Sequence, residues 1–256
     1  MDLVPAERQQ EIVRRAAIER IVKVKSLAER LGVHEMTIRR DLDALVEEGV
    51  LERVHGGARL KNQAGMESSH HIRASSNVPE KELIAEVAVT LIGEGDTVAF
   101  DASTSALAVI RRLRQRALNG IVVSLDAANA MASADIPFIL IGGSFHAPAR
   151  SFVGPQVSKQ LERLHPDKVF FSAKGLSRRA GFTDAYLDEV ETKERLVASA
   201  GLVIALLDHT KFGKAALGTI ARPDEVDVLI TDREPPQEYR ELLEAAGAKV
   251  VVAESD

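Results

Sequence analysis

The 256-residue chain contains no cysteine and no long apolar run. The lack of cysteine excludes disulfide frameworks, thiolate nucleophiles and thiolate zinc sites. The longest uncharged apolar stretches, such as Leu196 to Leu207, are well short of the roughly 20 residues that a membrane-spanning helix needs. The first residues also lack the basic region and apolar core of a secretory signal. These absences predict a cytoplasmic protein without a membrane partner.

Acidic residues outnumber basic ones, which gives a formal net charge of −5. The excess falls outside residues 1–60, where 11 basic residues balance 11 acidic ones. The net charge argues against indiscriminate coating of nucleic acid, but a neutral N-terminal segment can still bind DNA if its positive charges share one face. The length and the 45% hydrophobic content favour two domains over one.

Helical spacing of apolar residues predicts three helices near the N-terminus. The first runs from Pro5 to about Ala17 and is followed by a short extended piece. Ser26 and Glu29 have the spacing of a capping box, so we expect the second helix to start at Ser26 and to end at Gly32. The third helix is expected from Glu35 to Glu48.

The third helix has one apolar face and one polar face. On a helical wheel Leu42, Leu45 and Val46 fall near Ile38, whereas Asp43 and Ala44 point to the other side. Residues 50–60 then predict two short strands joined by a Gly-Gly turn. Three helices and a hairpin make a winged helix, which predicts a DNA-binding domain over residues 1–60.

A helix that enters the major groove presents base-reading side chains near its N-terminus. Arginine there can read guanine or bind phosphate, although arginine pairs are also common as solvated helix charges. The basic hairpin that follows adds a second element that could reach DNA and favours the DNA-reading interpretation. The predicted DNA-binding residues are Met36, Thr37, Arg39, Arg40, Arg53, His55 and Arg59.

Several of these residues fall in blocks that resemble the N-terminal signature of the DeoR family of transcriptional regulators. The blocks are Thr37-Ile38-Arg39-Arg40-Asp41-Leu42, Glu48-Gly49-Val50-Leu51 and His55-Gly56-Gly57-Ala58, in order and at the right spacing. The family usually has Ser just before the recognition helix. This chain has His34, a weaker cap residue, so the geometry at the start of the helix or a phosphate contact is expected to differ.

Residues 61–78 are polar and lack apolar periodicity, which predicts a linker, and a second domain is expected over residues 79–256. Continuous apolar runs alternate there with helical segments. Such runs indicate strands covered on both faces, and hence an α/β domain with a mostly parallel sheet. The runs are Thr97 to Phe100, Ile121 to Leu125, Phe138 to Ile141, Lys168 to Ser172, Leu202 to Leu207, Val226 to Thr231 and Ala248 to Val252.

Three loops after these strands are candidate ligand-binding loops. Residues 101–105, Asp-Ala-Ser-Thr-Ser, stand between a strand and a helix, where phosphate sites are common, although the segment by itself favours an ordinary Ser/Thr helix cap. Gly142-Gly143 closes a second strand and gives a weaker signal. Residues 208–214 follow a third strand, and Lys211 there offers a point charge for an anion.

The last segment resembles the corresponding part of the DeoR sensor domain and, more distantly, the phosphate-contacting segment of ribose-5-phosphate isomerases. The resemblance to the DeoR family thus covers nearly the whole chain. It implies a sensor of this isomerase-like fold that binds a phosphorylated sugar or a related metabolite. The implied effector-binding residues are Asp101, Ser103, Thr104, Ser105, Ser124, Asp126, Gly142, Gly143, Lys174, Lys193, Asp208 and Lys211.

The chain departs from the family pattern at two of these places. Ser103-Thr104-Ser105 stands where the family typically has Gly-Thr-Thr, which keeps hydroxyls but replaces the glycine of closest approach. Ser124-Leu125-Asp126 stands where Thr-Asn is typical, so an amide is missing or replaced by a carboxylate. A pocket-facing Asp126 would favour hydroxyls or a cation over a second phosphate, because it adds negative charge.

An enzyme is the alternative reading, namely an isomerase-like protein with an added DNA-binding domain. The isomerases carry Gly-Ala-Asp-Glu after a strand, whereas residues 172–175 here, Ser-Ala-Lys-Gly, carry no carboxylate. Glu189 or Glu191 could act only as a lone base. No cofactor is expected, and no metal either, since His70-His71 is an adjacent pair better explained as solvated linker.

The sequence therefore predicts an effector-controlled transcriptional regulator without catalytic residues. We expect a repressor of a carbohydrate or related operon. Its expected partners are double-stranded operator DNA, a small-molecule effector such as a sugar phosphate, and further copies of the chain in a dimer or tetramer. Oligomerisation is expected because one winged helix offers little contact area for tight specific binding.

Overall fold

A computed structural model describes residues 5–19, 21–47, 50–54, 56–60, 70–113 and 116–254. The chain divides into two compact units, Met1–Val78 and Pro79–Asp256. Each unit has its own hydrophobic core. Among the described residues, no helix combines the length and the apolar character needed to cross a bilayer.

The N-terminal unit is built from helices and a small antiparallel sheet of order β1-β3-β2. Pro5 begins the first helix, as the sequence predicts. The Gly-Gly turn joins β2 and β3 into the predicted hairpin, and β1 pairs with its second strand. The elements are α1 (Pro5–Glu19), β1 (Ile21–Lys23), α2 (Val24–Leu31), α3 (Glu35–Glu47), β2 (Leu51–Val54), β3 (Gly57–Leu60) and α4 (His70–Ser75).

The core of this unit forms around the apolar face of α3. Ile38, Leu42 and Leu45 are fully buried there, as the helical wheel predicts, while Val46 is half-buried at the edge of the core. A buried ion pair ties α3 to α1, because Arg8 Nε lies 2.5 Å from Asp41 Oδ2 and Arg8 Nη2 lies 3.1 Å from Asp41 Oδ1. The orientation of α3 is thus held by packing and by a paired charge.

The start of α2 differs from the prediction. The helix begins at Val24, and the residue before it, Lys23, makes no side-chain cap, so the expected capping box at Ser26 is wrong. Lys23 pairs with Gly57 in the sheet, and the Val24 N–H donates to the Gly56 carbonyl at 3.1 Å. That main-chain bond starts the helix as the strand ends. The predicted end of α2 is confirmed, because the backbone of Gly32 is in the left-handed region with φ +66°.

The predicted linker is partly wrong. Residues 70–75 form α4, which contacts α1, and Ile72 packs against the N-terminal core. His70 is buried, so the interpretation of the histidine pair as solvated linker fails for that residue. One apolar side chain was too weak a signal to reveal a short docked helix. Residues 61–69 lie outside the described residues.

The C-terminal unit contains the seven predicted strands, all parallel, in one sheet. Helices alternate with them along the chain, as expected for an α/β fold. The elements are α5 (Val78–Thr90), β4 (Thr97–Phe100), α6 (Thr104–Arg111), β5 (Asn119–Val122), α7 (Leu125–Ser133), β6 (Phe138–Leu140), β7 (Ser144–His146), β8 (Ser151–Val153), α8 (Pro155–Leu161), β9 (Lys168–Phe171), β10 (Gly175–Ser177), β11 (Gly181–Asp184), α9 (Leu187–Ser199), β12 (Leu202–Leu206), β13 (Gly218–Ala221), β14 (Val228–Thr231), α10 (Gln237–Ala245) and β15 (Lys249–Val252).

The strand order of the large sheet is β15-β14-β12-β9-β4-β5-β6. From β4 the chain adds β5 and β6 on one side, and from β9 it adds β12, β14 and β15 on the other. The order therefore reverses between β4 and β9. In open parallel sheets the carboxyl ends of the strands at such a switch point leave a crevice where ligands bind.

The sequence did not predict the short antiparallel strands of this unit. A small sheet has the order β10-β11-β13, and β7 pairs with β8. Each of these strands has only three or four residues, which is too short for an alternating pattern to stand out. They matter because Asp184, the last residue of β11, contributes to the polar cluster described below.

Candidate functional site

The first turns of α3 carry the residues predicted to read DNA. Met36 is 53% exposed, Arg39 and Arg40 are exposed, and Thr37 is half-buried. Arg39 Nη2 lies 3.8 Å from Glu35 Oε2, one helical turn earlier. Met36, Arg39 and Arg40 therefore lie on the surface of the unit, whereas Thr37 is partly covered.

The hairpin arginines are held in surface ion pairs. Arg53 pairs with Asp43 and also donates to the Arg39 carbonyl at 3.1 Å, which links the hairpin to α3. Arg59 Nε lies 2.5 Å from Glu52 Oε1 across the β2–β3 ladder. Exposed pairs of this kind contribute little to stability, so their arginines can be redirected towards phosphates at small cost. His55 lies outside the described residues.

The turn after β4 forms the first side of the candidate effector site. Asp101 is buried, and its two oxygens accept from the Ser103 N–H and the Ser172 N–H, both at 3.0 Å. Ser103 caps α6, because its Oγ accepts from the Ala106 N–H at 3.0 Å. Thr104 and Ser105 follow in the first helical turn and are buried. Ser103 thus makes the ordinary cap, and the same turn stands beside the switch point.

Lys193 stands at the centre of a buried ionic cluster that joins β9, β11 and the turn after β4. Its ammonium donates to Asp184 Oδ2 at 2.6 Å and to the Ser172 carbonyl at 2.9 Å, and it lies 3.3 Å from Asp101 Oδ2. An ammonium has three protons to donate. Three acceptors therefore surround the ammonium of Lys193, a residue that the sequence predicts to bind the effector.

Charge pairing dominates the ionisation of this cluster. Burial works to raise the pKa of the Asp184 carboxyl, but the ammonium groups of Lys193 and Lys174 outweigh it, and the pKa lies below its ordinary value. Burial likewise opposes the charge of Lys193, yet the carboxylates of Asp184, Asp101 and Glu189 raise its pKa above the ordinary value. The cluster is therefore an ion pair in the folded protein. Lys174 itself is half-buried.

The carboxylates considered for catalysis are engaged in hydrogen bonds. Glu189 is buried and accepts from the Ser151 hydroxyl, and Glu191 accepts from the Ser158 hydroxyl at 2.8 Å. Glu189 also adds to the negative charge around Lys193. These contacts give both residues a structural explanation.

Asp126 does not present an uncompensated negative charge. Arg150 Nε donates to Asp126 Oδ2 at 2.7 Å, and both side chains are partly buried. The Arg150 carbonyl accepts from the Leu125 N–H at 3.0 Å, which fixes this residue at the carboxyl end of β5. Ser124 caps α7 by accepting from the Ala127 N–H at 3.2 Å. The argument that Asp126 excludes a second phosphate by its charge therefore weakens, because a guanidinium balances it.

The Gly142-Gly143 turn is explained by packing at one of its two positions. A Cβ on Gly143 would lie 2.6 Å from the Val153 carbonyl oxygen and 2.6 Å from Val157 Cγ2, so only glycine fits there. The Gly142 carbonyl accepts from Gln160 Nε2 at 2.8 Å.

The loop after β12 forms the second side of the candidate effector site. Asp208 is buried and caps a 3₁₀ turn, His209–Lys211, by accepting from the Thr210 N–H at 3.0 Å. Lys211 is half-buried at the end of this turn. The loop follows a strand that is separated from β4 only by β9.

A polar cluster that the sequence analysis missed lies beside this loop. Glu80, His209 and Asp232 have oxygen or nitrogen atoms within 4.8 Å of one another, close enough to hold a metal ion. His209 Nδ1 lies 2.7 Å from Asp232 Oδ2, and Arg233 lies 3.4 Å from that oxygen and 3.7 Å from Glu80 Oε1. We interpret the group as an ion-pair cluster, because a guanidinium already faces both carboxylates. Its members are too far apart in sequence to form a motif.

Comparison with known proteins finds family matches over both units. Residues 8–64 match the DeoR-like helix-turn-helix domain, and residues 76–233 match the DeoR C terminal sensor domain. The HTH-type transcriptional regulator GolR of Listeria innocua is 33% identical over 98% of this chain and 100% of its own length. The lactose phosphotransferase system repressor of Staphylococcus aureus is 30% identical over 92% of this chain and 95% of its own.

Among solved structures, the ribose 5-phosphate isomerase A of Methanocaldococcus jannaschii is similar over 54% of this chain and 55% of its own, with 19% identity and a TM-score of 0.41. The relatives found by sequence are regulators, which confirms the prediction of a regulator rather than an enzyme. Both family models match in order and together cover most of the chain, so this protein belongs to the DeoR family of transcriptional regulators.

Proposed function

We propose that this regulator represses a carbohydrate operon and is controlled by a phosphorylated sugar. The DNA-binding residues would be those of the first turns of α3 and of the hairpin. The sensor would be residues 79–256, and the protein would act in the cytoplasm as a dimer or tetramer on a palindromic operator. The lactose system named for one relative supports a carbohydrate as the regulated pathway.

The observation that carries the effector proposal is the position of the two loops around the switch point. The hydroxyl-bearing turn after β4 ends in the N-terminus of α6, where main-chain N–H groups and the helix dipole favour an anion. The Lys211 loop follows β12, two strands away. Adjacent strands lie about 4.8 Å apart, so the two loops are separated by roughly 10 Å, a span that a sugar phosphate can bridge.

The buried cluster around Lys193 would support the site, and not all of its residues would contact the effector. Lys193 and Asp101 would hold the ends of β4 and β9 in place, because their charges are already matched. Thr104, Ser105 and Lys211 would make the phosphate contacts. The Asp126–Arg150 pair would present both a carboxylate and a guanidinium to the hydroxyls of the sugar. Ser124, Gly142, Gly143, Lys174 and Asp208 would shape the remaining walls.

A thermal-shift screen of sugar phosphates, each paired with its unphosphorylated sugar, tests the effector proposal. A ligand at 100 times its dissociation constant should stabilise the protein by roughly 2.7 kcal/mol. Lys211→Ala should abolish most of the shift, because a charge-assisted contact contributes about 1.5–3 kcal/mol. Lys214→Ala is the matched control, since Lys214 is exposed three residues further along the same loop.

The regulatory part of the proposal is tested on DNA selected from a random library by the wild-type protein. The effector found in the screen should weaken this binding, and the coupling should be reciprocal, typically 1–3 kcal/mol. Lys211→Ala should bind the DNA normally and respond little to the effector. Equal responses in Lys211→Ala and wild type would refute the phosphate assignment, and loss of DNA binding without effector would give Lys211 a structural role.

A further inference from the structure

One edge of the large sheet in the C-terminal unit is an exposed apolar strand. The strand order places β6 at this edge and β15 at the other. Ile139 and Leu140 of β6 are 51% and 38% exposed, whereas the apolar residues of β15 are half-buried. Lys249, the first residue of β15, is exposed, and a charged side chain of this kind commonly keeps an edge strand from pairing with another chain. Of the two edges, β6 is the one that lacks this protection.

The exposed apolar surface continues from β6 into β7. We call residues 137–148 the edge segment; eight of these twelve residues are exposed. Phe145 of β7 is 49% exposed, and three of the six large hydrophobic side chains exposed in the described part of the C-terminal unit lie in this segment. No Lys, Arg, Asp or Glu occurs in residues 136–149, although these types make up 28% of the chain. Depletion of charge is typical of the core of a protein–protein interface and does not suit nucleic acid or an acidic ligand.

The main chain of β6 directs hydrogen-bonding groups away from the sheet. The Pro137 carbonyl accepts from an N–H of β5 at 2.8 Å, and the Ile141 N–H donates to a carbonyl of β5 at 2.9 Å. Alternate residues of a strand direct their main-chain groups to opposite sides, so Phe138 and Leu140 direct theirs away from β5. Among the described residues, no further strand lies on that side. The edge therefore offers main-chain donors and acceptors to an extended strand.

We propose that β6 pairs in antiparallel direction with β6 of a second copy of the chain, about a two-fold axis at Ile139. In this register Phe138 of each copy is opposite Leu140 of the other, which pairs the four outward N–H groups of the two strands with carbonyl groups across the axis. The two Ile139 side chains meet at the axis. Because the same edge is used twice, it is covered in both copies. The pairing rests on the proposed function in taking the regulator to be a dimer or tetramer, and it assigns the surface that joins the copies.

The size of the surface supports a second copy as the occupant. Stable interfaces bury about 800 Å² per partner over about 20–30 residues. Three strand residues would be too few, but the whole edge segment has twelve. The helices α7 and α8 flank it, because α7 contacts β6 and Gln160 of α8 donates to the Gly142 carbonyl at 2.8 Å. Their exposed residues bring the surface close to the size that a stable dimer needs.

Disulfide cross-linking of the full-length protein tests the register, since the chain has no cysteine of its own. Directly opposite residues at a non-hydrogen-bonded position have Cα atoms about 4.5 Å apart, within the usual disulfide range of about 4.4–6.8 Å. Ile139→Cys should therefore form a covalent dimer under mild oxidation. Leu140→Cys should form much less, because the two copies of this residue would be diagonal neighbours about 7–8 Å apart.

Leu217→Cys is the matched control for cross-linking. Leu217 is 73% exposed in the same unit but lies outside the edge segment, so this variant should remain a thiol. Cross-linking at Leu217 or at Leu140 that is as fast as at Ile139 would overturn the register.

Ile139→Asp tests whether the edge segment joins the copies. Two carboxylates would face each other at the axis, and like charges across an interface should raise the dissociation constant of self-association by about 100-fold or more. Analytical ultracentrifugation should show an assembly of half the wild-type mass. Leu217→Asp introduces the same charge at an exposed apolar position outside the segment and should keep the wild-type mass. Thermal melting should show both variants folded, because both side chains are exposed.

The possible outcomes separate the interface from the function. A monomeric wild-type protein would overturn the proposal and leave the edge to a strand of another protein. An oligomer whose mass is unchanged in Ile139→Asp would refute the edge segment as the interface. The thermal shift caused by the effector, and its loss in Lys211→Ala, do not depend on β6. A failure of the interface is therefore distinguishable from a failure of the proposed function.

Discussion

In the N-terminal unit most of the described residues proposed to bind DNA are exposed on α3 and the hairpin, whereas in the C-terminal unit most of the residues proposed around the effector are buried. Arg40 can be changed without disturbing the core, but Lys193 cannot. This difference in exposure follows from the ligand that each unit is proposed to bind. DNA is a large external surface, while a small molecule must be enclosed by groups that the fold already holds. Substitutions should therefore separate binding from folding in the first unit and couple them in the second.

The largest effect is expected for Lys193→Ala in the buried cluster. Removal of Lys193 leaves Asp184 and Asp101 without the buried ammonium that they share, and the loss of one partner of a buried ion pair typically costs about 3–5 kcal/mol in the free energy of unfolding. Chemical denaturation measures this loss, with Lys214→Ala as the surface control. A value for Lys193→Ala within about 0.5 kcal/mol of wild type, the usual range of surface substitutions, would contradict the structural role of the cluster.

Leu42→Ala should produce the corresponding loss in the N-terminal unit. Leu42 is fully buried, so the cavity should cost about 2–5 kcal/mol in the free energy of unfolding. Thermal melting should detect the lower stability of Leu42→Ala. At temperatures where the variant is still folded, its DNA binding should remain. Stability equal to wild type would mean that the face of α3 is packed less tightly than the structure indicates.

Arg40→Ala should have a smaller effect, and on binding alone. The side chain is exposed, so the free energy of unfolding should stay unchanged while preference for the selected duplex over a scrambled one falls by about 1–3 kcal/mol. Fluorescence anisotropy at matched salt measures this preference. Arg14→Ala is a suitable control, since Arg14 is an exposed arginine of α1 paired with Glu11. Undiminished preference in Arg40→Ala would remove this residue from the reading set.

The smallest effect is expected on acidification of the Asp184 cluster. Because the pKa of Asp184 is lower in the folded protein than its ordinary value of 3.8, this carboxylate stabilises the fold above that value. The contribution should be lost as the pH falls through the ordinary value towards the lower folded one. Asp184→Asn should show a flatter dependence of unfolding free energy on pH in this range, and a parallel dependence would contradict the assignment.

Local patterns predicted the elements better than the contacts between them. The wheel of α3 and the seven apolar runs were sufficient for the winged helix and the parallel strands, because burial repeats with the period of each element. The same reasoning missed α4 and the start of α2 at Val24. In both places a contact distant in sequence, the packing of Ile72 on the core or the bond from Val24 to Gly56, decides the structure.

The sequence by itself determined the two-domain organisation of helices and strands, the exposed arginines of α3 and the family. Only the tertiary structure decided that Lys193 is paired with Asp184, that Arg150 balances Asp126 and that His34 caps α3. Amphipathic spacing acts within one helix or strand, so sequence displays it. Ion pairs and caps depend on which atoms of distant or irregular segments meet, and the strand order between β4 and β9 sets those meetings at the carboxyl edge of the sheet.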